Sequence, residues 1–112
     1  MKLSEAMLQG TECHPQAFGT YFERKPFETT IVATCALASA YEAVNGCITD
    51  YNQLPPTWVE DINQLFPCLN ERVPSSKVEN YQTTVLNEIV HRNDREHQTR
   101  EEIAAWLTQL GY

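Results

Sequence analysis

One apolar segment near the middle of the chain constrains the fold more than any other feature. It reads IVATCALASAYEAVNG from Ile31 to Gly46, and Glu42 is its only charged residue. A helix that is apolar nearly all round is buried, and the many small side chains here would let neighbouring helices approach closely. The segment is too short to cross a bilayer. The sequence therefore predicts a buried central helix over Ile31–Val44, capped in left-handed conformation at Asn45 and Gly46.

Three S/T-x-x-E motifs predict where three later helices begin. They start at Thr57, Ser76 and Thr99, and a glutamate follows three positions later in each (Glu60, Glu79 and Glu102). In such a capping box the hydroxyl accepts a hydrogen bond from a first-turn amide, and the glutamate accepts one from the amide of the cap residue. Apolar residues at helical spacing follow each motif, which supports all three helices.

The N-terminal segments complete the predicted fold. Leu3, Ala6 and Met7 lie at the spacing of one helix face, so we expect a short first helix that ends near Gly10. Thr11–Phe27 contains two prolines and a glycine, and it should form an irregular loop whose aromatic rings cover the core, with room for a short strand. The sequence thus predicts an all-α fold: one domain over residues 1–112, with about five short helices around a buried central helix.

The charge of the chain bears on its partners. The net charge is −7, and no lysine or arginine occurs between Pro26 and Glu71. That region holds six carboxylates: Glu28, Glu42, Asp50, Glu60, Asp61 and Glu71. An acidic surface repels phosphates, so direct binding to nucleic acid or to an anionic membrane is not expected. The charge either serves solubility or forms an acidic face for a basic protein partner.

Location and cysteine chemistry follow from the apolar pattern. The N-terminal stretch MKLSEAMLQG contains Glu5 and lacks an apolar signal core, and no apolar run reaches the roughly 20 residues of a membrane span. We therefore expect a cytoplasmic protein whose four cysteines are reduced thiols.

The cysteines do not have the spacing of a metal site. Cys13, Cys35, Cys47 and Cys68 include no C-x-x-C pair, which zinc sites usually contain. Cys35 falls in the predicted central helix and is expected to be a small core residue. Cys13 with His14, and Cys68 after Pro67, are the ligands that remain. We expect no bound metal and no other cofactor.

The segment HRNDREHQTREEIAAWL, from His91 to Leu107, admits two interpretations. His91 and His97 are six positions apart, which is not the i, i+4 spacing of paired helical ligands. Asn93 and Asp94 are typical of a turn, and Thr99 would cap the helix that follows, so the segment is interpreted mainly as a joint between helices. A histidine close to an aspartate is also where a shifted pKa arises. A functional site made of His91, Asn93, Asp94 and His97 therefore stays open as the alternative.

Catalytic motifs do not occur in the sequence. It contains neither a G-x-S-x-G elbow nor a glycine-rich phosphate loop, so no catalytic residue is assigned. Trp58 and Trp106 lie at helical apolar spacing and are expected in the core.

Several blocks of the sequence resemble a family of small uncharacterised bacterial and phage proteins. The blocks are MKLSEA, CALASAYEA, PPTWVEDINQLFPC, IVHRND and TREEIAAWL, and they span most of the chain. Family members carry a central Cys-Ala-Leu helix, a Pro-Cys after the tryptophan helix, and a His-x-Asn-Asp loop before Thr-Arg-Glu-x-Ile-Ala-x-Trp. Relatives often have a second cysteine soon after Pro-Cys, whereas Leu69 and Asn70 follow Cys68 here, which speaks against a metal pair. The resemblance implies a bacterial or phage source, a cytoplasmic location and no specific activity.

Together these features favour a non-enzymatic acidic module that binds a protein with a basic surface, such as a phage-encoded inhibitor or host-takeover factor. Glu60 and Asp61 are the best candidates for its binding face, because Asp61 should lie on the polar side of its helix opposite Ile62 and Leu65. The oligomeric state is not indicated.

The alternative is a small enzyme or ligand-sensing domain that uses the loop from His91 to His97. A pocket that joins this loop to Glu42 or Cys68 would favour the alternative. A flat face of exposed aromatic residues ringed by carboxylates would favour the interaction module.

Overall fold

Five α-helices and two small antiparallel sheets make up the fold of this computed structural model, which describes residues 1–112. The helices are α1 (Leu3–Gly10), α2 (Ala36–Asn45), α3 (Trp58–Leu65), α4 (Val85–Asp94) and α5 (Arg100–Gln109). One sheet pairs β1 (Phe22–Arg24) with β2 (Ile31–Thr34), and the other pairs β3 (Arg72–Pro74) with β4 (Gln82–Thr84). The predicted all-α class is therefore wrong, because the domain mixes helices and strands.

The central segment is a strand followed by a helix. Its first four residues form β2, and three of them, Ile31, Val32 and Thr34, are β-branched types that favour strands. The helix begins only after Cys35, whose sulfur accepts a hydrogen bond from the amide of Ala38 at 3.5 Å. The predicted burial of this segment is confirmed, since every residue from Ala33 to Glu42 is buried. The predicted helix was too long because its leading residues also fitted an apolar helix pattern.

Gly10 allows α1 to cross α2 at very short range. A Cβ atom built on Gly10 would lie 1.8 Å from the backbone oxygen of Ser39. At the same crossing the hydroxyl of Ser39 donates to the backbone oxygen of Met7 at 3.0 Å. The predicted end of α1 at Gly10 is confirmed, and the glycine is also required by the packing of the two helices.

The three predicted capping boxes have three different outcomes. At Thr99 the box is confirmed: its hydroxyl accepts from the amide of Glu102 at 3.1 Å, and its own amide donates to the Glu102 carboxylate at 3.0 Å. Thr57 precedes α3 as predicted but makes no capping hydrogen bond.

The helix predicted after Ser76 is wrong, because that residue lies in the loop of the β3–β4 hairpin. The hydroxyl of Ser75 accepts from the amides of Lys77 and Val78, which stabilises a local turn in place of a helix. Helix α4 begins later, at Val85, where the hydroxyl of Thr84 caps the amide of Asn87.

All five helices contribute to one apolar core around α2. Its largest fully buried apolar side chains are Leu3, Met7, Leu37, Ile62, Leu69, Ile89, Ile103, Leu107 and Val85. Phe22 and Trp58 close this core beside the first sheet, and Trp58 makes edge contacts with the rings of Phe22 and Tyr41. None of the helices has the length and apolar character that crossing a membrane would require.

Candidate functional site

Asn93, in the last turn of α4, joins three distant parts of the chain. Its side chain is buried, and its Oδ1 accepts from the amide of Ala36 at 3.0 Å and from Gln16 Nε2 at 2.8 Å. Its Nδ2 donates to the backbone oxygen of Ala17 and to Asp94 Oδ1, both at 2.8 Å. The amide group is thus fully engaged within the protein.

Gln16 extends this network to the start of α5. Its Nε2 also donates to the backbone oxygen of Gln98 at 2.8 Å, and its Oε1 accepts from the amide of Arg100 at 3.1 Å. Asp94 continues the network on the other side, because its Oδ1 accepts from the amide of Gly19 at 2.9 Å. The Asn-Asp pair therefore holds the 16–19 segment against α2, α4 and α5.

The two histidines of the predicted site contact different neighbours. His97 has a φ angle of +51° and stacks on the ring of Phe18 with ring centres 4.9 Å apart. His91 Nε2 lies 3.9 Å from a carboxylate oxygen of Glu96, which in turn accepts from the hydroxyl of Ser76 at 2.9 Å. His91, Asn93 and Asp94 belong to the end of α4, so the predicted turn at Asn93 and Asp94 is wrong and the joint between α4 and α5 is only residues 95–99.

A cavity of about 280 Å³ lies beside this joint. Tyr21, Cys35, Asn93 and Asp94 are among its lining residues, and neither Glu42 nor Cys68 is. Burial raises the pKa of the Cys35 thiol to about 12, so at neutral pH the sulfur is protonated and a poor nucleophile. A second cavity, of about 460 Å³, has His91, Asp94 and Arg95 among its lining residues, and it also lacks Glu42 and Cys68. Neither cavity is the pocket that would favour the enzyme or sensor alternative.

Glu60 and Asp61 lie in the first turn of α3. Glu60 is exposed, whereas Asp61 is half-buried and accepts a hydrogen bond from the Thr57 hydroxyl at 3.4 Å. Burial raises the pKa of Tyr41, and the nearby Asp61 carboxylate adds to this shift, which places Asp61 beside the core aromatics. The predicted helix face is only partly right, because Ile62 is buried but Leu65 is exposed.

Not all carboxylates of the acidic region from Pro26 to Glu71 contribute charge to the surface. Glu42 is buried and its carboxylate accepts from the amide of Ile48, so it contributes nothing to the surface. Asp50 accepts hydrogen bonds from the Thr29 hydroxyl and the Asn52 amide. The remaining carboxylates are those of Glu28, Glu60, Asp61 and Glu71.

An aromatic groove of about 630 Å³ lies between the β1–β2 hairpin and the start of α3. We define it by Tyr21, Phe22, Arg24, Phe27, Tyr51 and Trp58, with Glu23, Lys25 and Glu28 among its other lining residues. Trp58 lies at its base, with the Tyr21 ring edge-on at 5.1 Å between centres. The Arg24 guanidinium lies 4.7 Å from the centre of the Tyr51 ring, a cation–π contact.

Phe27 occupies an unusual position at the tip of this hairpin. The amide of Glu28 donates to the backbone oxygen of Lys25 at 3.1 Å, which closes a four-residue turn with Pro26 in its second position. Phe27, in the third position, has φ +63°, the conformation that a type II turn requires and that favours glycine or asparagine. Its relative exposure is 108%, so its ring has no packing within the chain.

Sequence reasoning did not single out this groove. It placed Phe27 with Phe18, Tyr21 and Phe22 in a lid on the core, yet of these only Phe22 is buried. The turn could have been found from the sequence, because Lys25-Pro26-Phe27-Glu28 has proline at the second position, where a type II turn favours it. The third position, which usually holds glycine, holds Phe27, and this marks the residue as unusual.

Two of the four cysteines form a disulfide, so the expectation of four reduced thiols is wrong. Cys13 and Cys47 are joined across a sequence separation of 34, while Cys35 and Cys68 are free. The pairing follows from α2, which returns the chain so that the residue after Gly46 lies beside the end of α1. The donor atoms of Cys13, Glu42 and Cys47 all lie within 4.8 Å of one another.

Comparison with known proteins adds no relative. No protein-family model matches the chain, and no curated protein or solved structure was found to match it.

Proposed function

We propose that this chain is a non-enzymatic module that binds another protein, with Phe27 as the anchor of its binding face. The observation that carries the proposal is a fully exposed aromatic ring held in a left-handed turn position. Holding a non-glycine residue there costs of the order of 1–3 kcal/mol, and the ring recovers none of it by packing. An exposed aromatic residue of this kind suits the centre of an interface, where it would enter a pocket on the partner.

The surroundings of Phe27 indicate the chemistry of the partner. The aromatic groove beside it is lined by Tyr51 and the largely buried Trp58, and its two carboxylates, Glu23 and Glu28, are balanced by Arg24 and Lys25. The uncompensated negative charge near the groove is that of Glu60 and Asp61 in the first turn of α3. The chain has a net charge of −7, so a basic protein would be attracted from a distance. We propose a partner with an apolar hollow for the Phe27 ring, and with lysine or arginine on the side that faces α3.

The wider setting that we propose follows from the family resemblance. The chain would be a cytoplasmic protein of a bacterium or of a phage-infected host cell, with the Cys13–Cys47 pair reduced there, and it would act as an inhibitor or host-takeover factor. Such a role needs binding and no chemistry, which agrees with the Asn93 and Asp94 side chains being engaged in hydrogen bonds within the chain. The alternative function at His91–His97 is not pursued, because neither of the two cavities beside that segment includes Glu42 or Cys68.

The test is affinity capture from the native host with the wild-type chain and two matched variants. Phe27→Asn removes the ring and suits the left-handed turn, whereas Tyr81→Asn removes another exposed aromatic residue, from the opposite hairpin. The same captured protein should be lost with Phe27→Asn and kept with Tyr81→Asn. With the purified partner, Phe27→Asn should weaken affinity at least about 30-fold, the scale of an interface hot spot.

The effects of these variants on binding can be distinguished from effects on folding. Phe27→Asn should leave the melting temperature unchanged or higher, because it relieves the turn. Glu60→Lys, at an exposed residue, should lower the association rate and weaken its salt dependence without changing the fold. A partner that binds wild type and Phe27→Asn equally well would show that Phe27 is not the anchor.

A further inference from the structure

The disulfide lies beside a buried carboxylate and a histidine. Glu42 is 1% exposed, and its Oε1 and Oε2 lie 3.2 Å and 2.9 Å from His14 Nδ1. Its Oε2 also accepts from the amide of Ile48 at 2.8 Å. A buried carboxylate is costly unless it is paired or coordinates a cation. Glu42 and its partner His14 lie next to Cys13 and Cys47. All four side chains are of types that bind metal ions in other proteins.

The distances fit a tetrahedral metal once the sulfur atoms separate. With zinc–sulfur bonds of about 2.3 Å, two thiolates on one zinc ion lie about 3.8 Å apart. The Cα atoms of Cys13 and Cys47 are 5.4 Å apart, and Cys47 is an exposed residue outside α2, directly after Gly46. Opening the bond therefore requires a displacement of a coil residue and leaves the helices in place. His14 lies outside the cluster of three donors, but its Nδ1 already lies within 3.2 Å of both carboxylate oxygens of Glu42.

We propose that reduction of the Cys13–Cys47 disulfide converts this cluster into a zinc site. Its ligands are the thiolates of Cys13 and Cys47, a carboxylate oxygen of Glu42 and Nδ1 of His14. A dithiol reductant supplies two electrons and two protons, the sulfur–sulfur bond breaks, and the dithiol leaves as a disulfide. Zinc then displaces the two thiol protons, so that binding of the ion releases two protons to solvent. The chain is tied together by the disulfide in an oxidising compartment and by zinc in a reducing one.

The local charge agrees with this ligand set. Two thiolates and one carboxylate carry three negative charges, and zinc leaves one of them uncompensated. Arg100 is buried, and one of its terminal nitrogens, Nη1, has no hydrogen-bond partner. Burial lowers the pKa of Arg100, while Glu101 and Glu42 oppose this shift, which places its guanidinium within electrostatic range of Glu42. This cation can offset the remaining charge.

The experiment compares metal binding by the full-length chain in two redox states. Purified protein is reduced with a phosphine, freed of metal, and titrated with cobalt(II) and then with zinc. Reduced wild type should bind one ion per chain and show the thiolate-to-cobalt charge-transfer absorption, which zinc then removes. Oxidised wild type should show neither. Zinc should also protect Cys13 and Cys47 of reduced wild type from alkylation, a readout that needs no variant.

Matched variants assign the ligands. Cys13→Ser and Cys47→Ser should abolish the charge-transfer band or halve it, and Glu42→Gln and His14→Ala should each weaken zinc binding at least tenfold. Cys35→Ser and Cys68→Ser should bind as wild type does, because those two cysteines are not ligands. The proposal is overturned if reduced wild type binds no zinc, or if zinc protects Cys68 in place of Cys13 and Cys47. These outcomes do not depend on whether Phe27 binds a partner.

Discussion

At the scale of single residues, Asn93 carries more of the fold than any residue that the sequence singled out as functional. Three of its four hydrogen bonds connect α4 to the start of α2 and to the segment that contains Gln16 and Ala17, and the fourth goes to the neighbouring Asp94. A buried side-chain amide with every group engaged is difficult to replace, because each partner left unpaired costs about 1–3 kcal/mol. Asn93, which the sequence suggested as part of a functional site, is therefore needed to hold these segments of the fold together.

Replacing Asn93 by alanine is therefore expected to lower the free energy of unfolding by about 3 kcal/mol or more. The amide of Ala36 and the backbone oxygen of Ala17 would lose a buried partner. Urea unfolding followed by circular dichroism measures the change. Asn87→Ala, an exposed position on the same helix, is the control and should stay within about 0.5 kcal/mol of wild type. Equal losses in the two variants would contradict this role of Asn93.

The buried thiol of Cys35 makes stability depend on alkaline pH. Burial raises its pKa from the ordinary value of 9.0 to about 12, so the unfolded chain ionises this thiol at a lower pH than the folded protein does. Its contribution is fully present below about pH 9 and is lost as pH rises towards about 12.

Cys35→Ser removes this titration while keeping a side chain that can cap α2. Above about pH 9 the unfolding free energy of the variant should fall less steeply than that of wild type, by up to about 1.4 kcal/mol per pH unit. Chemical denaturation from pH 8 to pH 11 measures the two slopes. Tyr21 and Tyr41, whose pKa values burial also raises, leave a smaller decline in both proteins. Parallel curves would show that Cys35 does not titrate in this way.

At the scale of elements, two helix starts with the same motif behave differently. Thr99 and Glu102 exchange both capping hydrogen bonds, whereas the Thr57 side chain caps no amide of α3 and makes only a long, exposed hydrogen bond to Asp61 at 3.4 Å. Thr99→Ala should therefore cost about 1 kcal/mol of unfolding free energy, and Thr57→Ala close to nothing. Thermal unfolding of both variants, with Thr99→Ser as a capping-competent control, makes the comparison. If Thr57→Ala proved the more damaging, the assigned caps would be wrong.

At the crossing of α1 and α2, we expect the substitution Gly10→Ala to change stability in the direction opposite to the one that helix propensity predicts. Alanine in place of glycine within a helix usually stabilises it by about 1 kcal/mol. Gly10→Ala should instead destabilise by about 2 kcal/mol or more, because the new methyl group would overlap the backbone of Ser39. Gln9→Ala, on an exposed neighbour in α1, is the control and should be nearly neutral. The melting temperatures of the two variants test this prediction, and a Gly10→Ala variant as stable as wild type would contradict it.

Sequence reasoning succeeded where local chemistry decides the structure and failed where pairing between segments does. The end of α1 and the Thr99 cap depend on nearby residues, and both were predicted correctly. The strand Ile31–Thr34 forms because β1 pairs with it, and no periodicity within the segment reveals that partner. The hairpin of Arg72–Pro74 and Gln82–Thr84 was concealed in the same way by a motif that also fits a helix. The groove beside Phe27 depends on the first of these strand pairs and was therefore missed.

At the scale of the whole molecule, the Cys13–Cys47 disulfide closes a loop that contains the first sheet and α2. Closing a loop of this length restricts the unfolded chain and is worth about 4 kcal/mol in the chain-entropy model. The double variant Cys13→Ser/Cys47→Ser should lose stability of this order relative to oxidised wild type in the presence of a chelator. Adding a reductant should lower the stability of wild type and leave the double variant unchanged. An effect of reductant on both would point to another cause.

The path of the chain also sets when the protein can fold during its synthesis. Helix α1 packs on both α2 and α5, and the amide of Ser4 donates to the backbone oxygen of Tyr112 at 3.2 Å. The hydrogen bonds of the Gln16 side chain with Asn93 and Arg100 likewise cannot form until those two residues have been synthesised, much later. Contacts between such distant residues form only after the intervening chain has closed into a loop, so folding is slowed. Helix α1 can pack on α2 early, but the part of it that packs on α5 stays exposed in the nascent chain until α5 has left the ribosomal exit tunnel. We expect chaperones to bind this exposed surface during that interval.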